Sequence, residues 1–240
     1  MVQARMGSTR LAGKSMKLLA GKPLVYHVLE RTRAIRGVAE TVLVTGRGKE
    51  NFPLIELAEK SGCSTYAGSE EDVLDRFFRA AEKFPCSHIV RVTGDNPFTD
   101  IGYAGRTVDT ALESHGDITA LTGLPLGTAV EIIRFEALAR AHQRATKPHE
   151  REHVSPYIKE RPHEFKIVHI PSGFQNPFPD LRLTVDTDED FILAEKIYSA
   201  LYHGSQFDVK EVISFVAENR ELTEINRHIE QRSMHHSGKK

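Results

Sequence analysis

At 240 residues the chain fits one α/β domain or two small ones, and 40% apolar residues suffice for a core. A formal net charge of −1 argues against a bulk nucleic-acid binder or a membrane-surface protein. Cys63 and Cys86 lack CxxC spacing and give no disulfide framework or cysteine zinc site, and no apolar run has the length of a membrane span or signal segment, so the expectation is a cytoplasmic protein.

Met1-Val2-Gln3 leaves few residues for a first strand, so that strand is expected to be very short or cut at its start. The loop from Gln3 to Lys14 follows. It holds Arg5, Arg10 and Lys14 among the small residues Gly7, Ser8, Thr9 and Gly13. Small residues let backbone N–H groups approach a ligand, and the cations add charge, which suits a nucleoside triphosphate. Charge alone favours a solvated basic loop. The loop is not a P-loop, because Ser8 rather than glycine stands five positions before Gly13.

Helical spacing of Leu24, Val28, Leu29 and Ile35 predicts a helix over 23–35, and the β-branched run 41–45 predicts a strand. Pro53 opens a helix through Lys60, and 64–67 reads as a short strand. Ser69 is the expected N-cap of a helix over 70–83 with a stripe of Val73, Leu74, Phe77, Phe78 and Ala81. Strands follow over 88–93, 118–121, 128–133, 165–170 and 181–185. Helices are expected over 104–114, 135–145, 154–161, 188–201 and 209–218, and 227–240 reads as a polar tail. Alternating strands and helices imply a doubly wound, mostly parallel sheet.

Asp95 and Asp186 each follow a predicted strand. Ligands of open α/β sheets bind at the carboxyl ends of strands, and two carboxylates there suit one Mg²⁺. Locally, Asp95 also fits a turn before Pro97, and Asp186 or Thr187 fits a helix cap. His149-Glu-Arg-Glu-His153 matches the zinc-hydrolase pattern H-E-x-x-H, but Pro148 and Pro156 bound it and no third ligand stands out.

Five ordered blocks resemble one family: Gln3-Ala-Arg-Met-Gly-Ser-Thr-Arg-Leu-x-Gly-Lys14, Gly68-Ser-Glu-Glu-Asp-Val-Leu-Asp-Arg-Phe77, Arg91-Val-Thr-Gly-Asp-Asn-Pro97, Glu150-Arg-Glu-His-Val-Ser-Pro-Tyr-Ile158 and Arg182-Leu-Thr-Val-Asp-Thr-x-Glu-Asp190. They are similar to the spore coat polysaccharide biosynthesis protein F family. That family belongs with the cytidylyltransferases that make CMP-activated acidic sugars, such as CMP-Kdo and CMP-sialic acid synthetases. The resemblance implies a three-layer αβα, Rossmann-like nucleotide-diphospho-sugar transferase fold with a mostly parallel mixed sheet, as a single domain over 1–226. It implies that Arg5, Gly7, Ser8, Arg10 and Lys14 bind the nucleotide, with Arg10 and Lys14 on the triphosphate. Asp95 and Asp186 would hold Mg²⁺. Gly68, Ser69, Arg76 and Gly94 would lie near the nucleotide, and Glu131, Glu152 and His153 near the sugar. CTP and an acidic sugar are the implied substrates, and a homodimer the implied assembly. The chain departs from the family with Ala12 in place of proline, Arg47-Gly-Lys49 in place of a Ser/Thr/Asp-rich segment, and Ala129 in place of an acidic residue. A non-catalytic nucleotide- or partner-binding member of the same fold is the main alternative, and a zinc hydrolase a minor one.

Overall fold

The computed structural model describes residues 1–7 and 10–231. Its strands are β1 (Val2–Gln3), β2 (Leu18–Leu19), β3 (Lys22–Pro23), β4 (Val42–Gly46), β5 (Ser64–Gly68), β6 (His88–Thr93), β7 (Ile118–Thr122), β8 (Glu131–Arg134) and β9 (Ile167–Pro171). Its helices are α1 (Leu24–Ala34), α2 (Phe52–Lys60), α3 (Val73–Lys83), α4 (Ile101–Ser114), α5 (Phe135–Arg144), α6 (Pro148–Glu152), α7 (Pro156–Lys159), α8 (Asp188–Leu201) and α9 (Val209–Glu218). Strands β2 and β3 form a small hairpin, and the others form one seven-stranded sheet in the order β5-β4-β1-β6-β8-β7-β9. Among the described strands of that sheet, only β8 is antiparallel to its neighbours, β6 and β7.

The sheet carries helices on both faces, as the alternation of elements implies. Val2, Leu43, Val92 and Ile132 pack with residues of α1, α2, α4, α8 and α9 on one side. Val42, Val44, Ile89 and Ile133 pack with α3, α5 and α7 on the other. Neighbouring strand residues face opposite layers because the side-chain period is two. Strand β1 has two residues, yet it lies mid-sheet, parallel to β4 and β6.

Three sequence expectations change. Residues 181–185 form no strand: Arg182 makes one isolated bridge to Leu126, and the Leu183 and Val185 amides donate to two separate carbonyls, Leu126 at 2.9 Å and Asp95 at 2.8 Å. The segment lies across loop ends, so no continuous strand edge meets it. The helix expected over 154–161 shrinks to α7, because His153, the C-cap of the preceding α6, is extended (φ −118, ψ 146) and Pro156 starts the next turn. The strand expected over 128–133 starts at Glu131, since Thr128 belongs to a turn closed on the Pro125 carbonyl. Of the expected polar tail, 227–231 continues past Asn226, where the Ile229 amide donates to the Asn226 carbonyl at 3.0 Å. Residues 232–240 lie outside the described residues. Among the described residues no helix is long and apolar enough to cross a membrane.

Candidate active site

The parallel strands β1, β4, β5 and β6 end on one side of the sheet, and the site is built there. The basic loop leaves β1. Its return is fixed by Gly13, whose φ of 63° starts a 3₁₀ turn over Lys14–Met16. That left-handed conformation costs glycine little. Asn51, fully buried, accepts a hydrogen bond from the Met6 amide at 2.9 Å and so anchors the loop start to the segment after β4.

Asp95 follows β6 through Gly94. The Gly94 amide donates to the Gln3 carbonyl at 2.7 Å, and a Cβ on Gly94 would lie 2.7 Å from the Ala4 Cβ. Glycine is therefore required for this turn to sit against β1. Asp186 arrives from the segment that crosses the strand ends. The capping box of α8 is made by Thr187 and Asp190, which leaves the Asp186 carboxylate for the site. Buried Arg182 aims it: Nη2 donates to Asp186 Oδ2 at 2.6 Å, while Nε donates to Asp190 Oδ1 at 3.0 Å.

Lys14 joins the two halves. Its Nζ donates to Asp95 Oδ2 at 3.0 Å, Asp186 Oδ1 at 2.9 Å and the Val185 carbonyl at 2.8 Å. Arg10 Nη2 also reaches Asp186 Oδ1, at 2.9 Å. Burial alone would lower the Lys14 pKa, but Asp95 and Asp186 outweigh it and hold the ammonium above the usual lysine range. Burial would likewise raise the Asp186 pKa, and Lys14, Arg10 and Arg182 hold it below the usual carboxylate range. Both groups are thus charged at neutral pH. Arg10 and Lys14 of one loop thus meet Asp95 and Asp186 from two distant segments.

A second feature opens on the other face of the same sheet end. A cleft of about 480 Å³ is lined by Gln3, Arg5, Asp72, Arg151, Glu152 and His153, among others. Arg151 pairs with Asp72, the N-cap of α3, across the cleft wall at 2.8 Å through Nε. Glu131 lies opposite Arg91 in the β6–β8 register and bonds to its Nη1 at 2.9 Å, with Lys159 also on the carboxylate. Burial would raise the Glu131 pKa, but Arg91 and Lys159 hold it at about 2. Burial lowers the His153 pKa, so the ring is neutral at pH 7.

The remaining expected residues fall as follows. Arg5 stands at the cleft rim, 3.8 Å from Glu70. Gly7 has open space where a Cβ would be, and Ser8 lies outside the described residues. Gly68 packs so closely on Tyr66 and Arg76 that a Cβ would lie 2.9 Å from each. Ser69 is not the cap of α3: Asp72 caps it, and Ser69 Oγ accepts from the Asp72 amide at 3.0 Å. Arg76 is buried, with its pKa lowered to about 10 by burial, and it donates to the Ser69 and Glu70 carbonyls. It shapes the turn rather than facing the cleft. The zinc-hydrolase pattern fails geometrically. Helix α6 ends at Glu152, His149 pairs with Glu160 at 3.0 Å, and His153 lines the cleft. Two histidines share a face only on a continuous helix. Among the described residues, Glu150 and Glu160 bring carboxylate oxygens near the His149 ring, but Glu150 is buried, accepting from the Thr146 and Lys147 amides and pairing with Arg161.

Sequence reading assigned no role to Arg182, Asn51 or Gln3. An arginine four positions before Asp186 was a usable signal for the first. The other two act only through contacts between distant segments.

The cytidylyltransferase family profile matches residues 1–229. The chain belongs to the cytidylyltransferase family. It is 30% identical to the spore coat polysaccharide biosynthesis protein SpsF of Bacillus subtilis, covering 91% of this chain and 93% of that one. It is 28% identical over 168 residues to a 3-deoxy-manno-octulosonate cytidylyltransferase of Idiomarina loihiensis, 64% of each chain. A solved cytidylyltransferase structure from Leptospira borgpetersenii superposes with a TM-score of 0.85 at 29% identity, covering 97% of both chains. In this family member the basic loop and the two aspartates therefore stand on a nucleotidyltransferase framework.

Proposed function

We propose that the protein transfers CMP from CTP to an acidic sugar and releases pyrophosphate. The observation that carries this reading is the meeting of Asp95, Asp186, Lys14 and Arg10 at the carboxyl ends of β1 and β6. The acidic sugar is supported by the name of the Idiomarina relative.

The donor set fits a hard divalent cation. Two carboxylate oxygens from distant segments converge within 3.0 Å of one point, and oxygen ligands suit Mg²⁺. Asp95 and Asp186 would hold it, and bound there it would neutralise charge on the α-phosphate and lower the pKa of the attacking hydroxyl. Arg10 and Lys14 bind the β- and γ-phosphates. The sugar hydroxyl oxygen forms a bond to the α-phosphorus, the bond to the β-phosphate oxygen breaks, and the hydroxyl proton passes to solvent. Arg10 and Lys14 stabilise the charge gathering on pyrophosphate. Glu131, not among the residues that line the cleft, has each oxygen held by a cation, Arg91 or Lys159, and so acts by fixing those two side chains. Glu152 and His153 line the cleft and are the sugar-side candidates. A cytoplasmic homodimer belongs to the same reading.

Pyrophosphate release, measured with each of the four nucleoside triphosphates and Mg²⁺ against a panel of 2-keto-3-deoxy acids, tests it. Turnover is expected with CTP and at least one acid. CTP binding without pyrophosphate release across the whole panel points instead to a non-catalytic nucleotide-binding member.

A further inference from the structure

The Lys14 ammonium has three protons, and Asp95, Asp186 and the Val185 carbonyl accept all three within 3.0 Å. It thereby takes the one point on which both carboxylates converge. A divalent cation bound by both aspartates needs that same point. An ammonium and a divalent ion cannot share it, because two cations a few ångströms apart repel strongly in a partly buried site.

We propose that Lys14 is the resident cation of this acidic pair: it keeps the divalent-metal site shut in the free protein, and a triphosphate opens it by drawing the ammonium away. Metal then enters with the nucleotide rather than before it. The inference rests on the reading under Proposed function.

The surrounding geometry suits such an exchange. The Lys14 backbone is pinned by the Gly13 turn and by the Met16 amide on the Gly13 carbonyl at 2.9 Å, so the movement is confined to side-chain torsions. Arg10, the second cation of the loop, holds Asp186 Oδ1 as Lys14 does and has the same phosphate alternative. When both leave, Asp186 keeps its orientation, because Arg182 grips the other oxygen, Oδ2, at 2.6 Å from a buried position. The carboxylate is thus freed on one oxygen and fixed on the other.

Mn²⁺ binding to the full chain, followed by the electron paramagnetic resonance signal of free Mn²⁺, tests this without turnover. Wild-type protein is expected to bind Mn²⁺ weakly alone and tightly with a non-hydrolysable CTP analogue. Lys14→Met is expected to bind Mn²⁺ without nucleotide at least roughly tenfold more tightly than wild type, since two carboxylates left without their cation attract another. Lys14→Gln, which keeps hydrogen-bonding atoms but no charge, should show the same gain. Adding Asp95→Asn to Lys14→Met should abolish it. Thermal melts of each variant verify folding. Equal nucleotide-free Mn²⁺ affinity in wild type and both Lys14 variants overturns this inference alone. Failure of every protein to bind Mn²⁺, even with the analogue, overturns the functional reading as well.

Discussion

Arg182 is the buried support of the site, and replacing it with methionine separates fold from chemistry. The side chain is 4% exposed and bonds Asp186, Asp190 and, from Nη1, Gln231. Asp190 is wholly buried and would keep its amide donors from Asp186 and Thr187 and the Asn226 Nδ2, but no counter-charge. Removing one member of a buried ion pair costs about 3–5 kcal/mol, because the other charge stays buried and uncompensated. At this chain length that is a Tm fall of roughly 6–20 °C. Asp186 keeps Lys14 and Arg10 but loses the contact that fixes Oδ2, so kcat should fall as well. Asp190→Asn in the Arg182→Met background removes the orphaned charge and should restore at least about 1 kcal/mol, a coupling that independent sites do not show. Urea unfolding of the four proteins of this cycle gives the numbers. A loss below about 1 kcal/mol for Arg182→Met, or strictly additive losses, would refute the argument that this arginine neutralises a buried carboxylate.

Three further outcomes are expected. Asp95→Ala should lower kcat for pyrophosphate release by roughly 10²–10³, the usual scale for a lost electrostatic contact in the transition state; near wild-type turnover would remove Asp95 from the mechanism. Gly127→Ala should destabilise by about 2 kcal/mol or more, read by urea unfolding, because φ is 94° and a Cβ would lie 2.6 Å from the Thr184 amide nitrogen. Burial depresses the pKa of the fully buried His27 from 6.5 to about 4, with Nε2 on the Leu19 carbonyl at 2.7 Å. Between pH 6.5 and 4 the unfolded chain binds a proton that the folded chain refuses, so stability falls as pH drops, by up to about 3 kcal/mol from this residue. His27→Leu should flatten that part of the pH profile, and an unchanged slope would count against a neutral buried ring.

Much of the architecture was legible because periodicity is local. The stripe of Val73, Leu74, Phe77 and Ala81 appears in α3, and the β-branched run after Thr41 appears in β4. Misreadings occurred where tertiary contacts outweighed local pattern. Leu181 to Val185 alternates like a strand, but its amides serve two separate loops, so no ladder forms. Ser69 looked like a cap, yet the carboxylate of Asp72, further tied to Arg151, took that place. The HEREH run matched a zinc-hydrolase pattern, but the extended His153 ends the helix at Glu152 and leaves that residue off it.

The sequence alone determined most of the order of elements, the basic loop and the place of Asp95 and Asp186 after apolar runs, since spacing and residue chemistry are properties of the chain itself. It could not determine which cation those aspartates hold in the free protein, which oxygen Arg182 grips, or which face of the sheet carries the cleft. Those follow from crossing segments brought within about 3 Å of one another, a distance at which charge and desolvation dominate. Only the folded chain sets such distances.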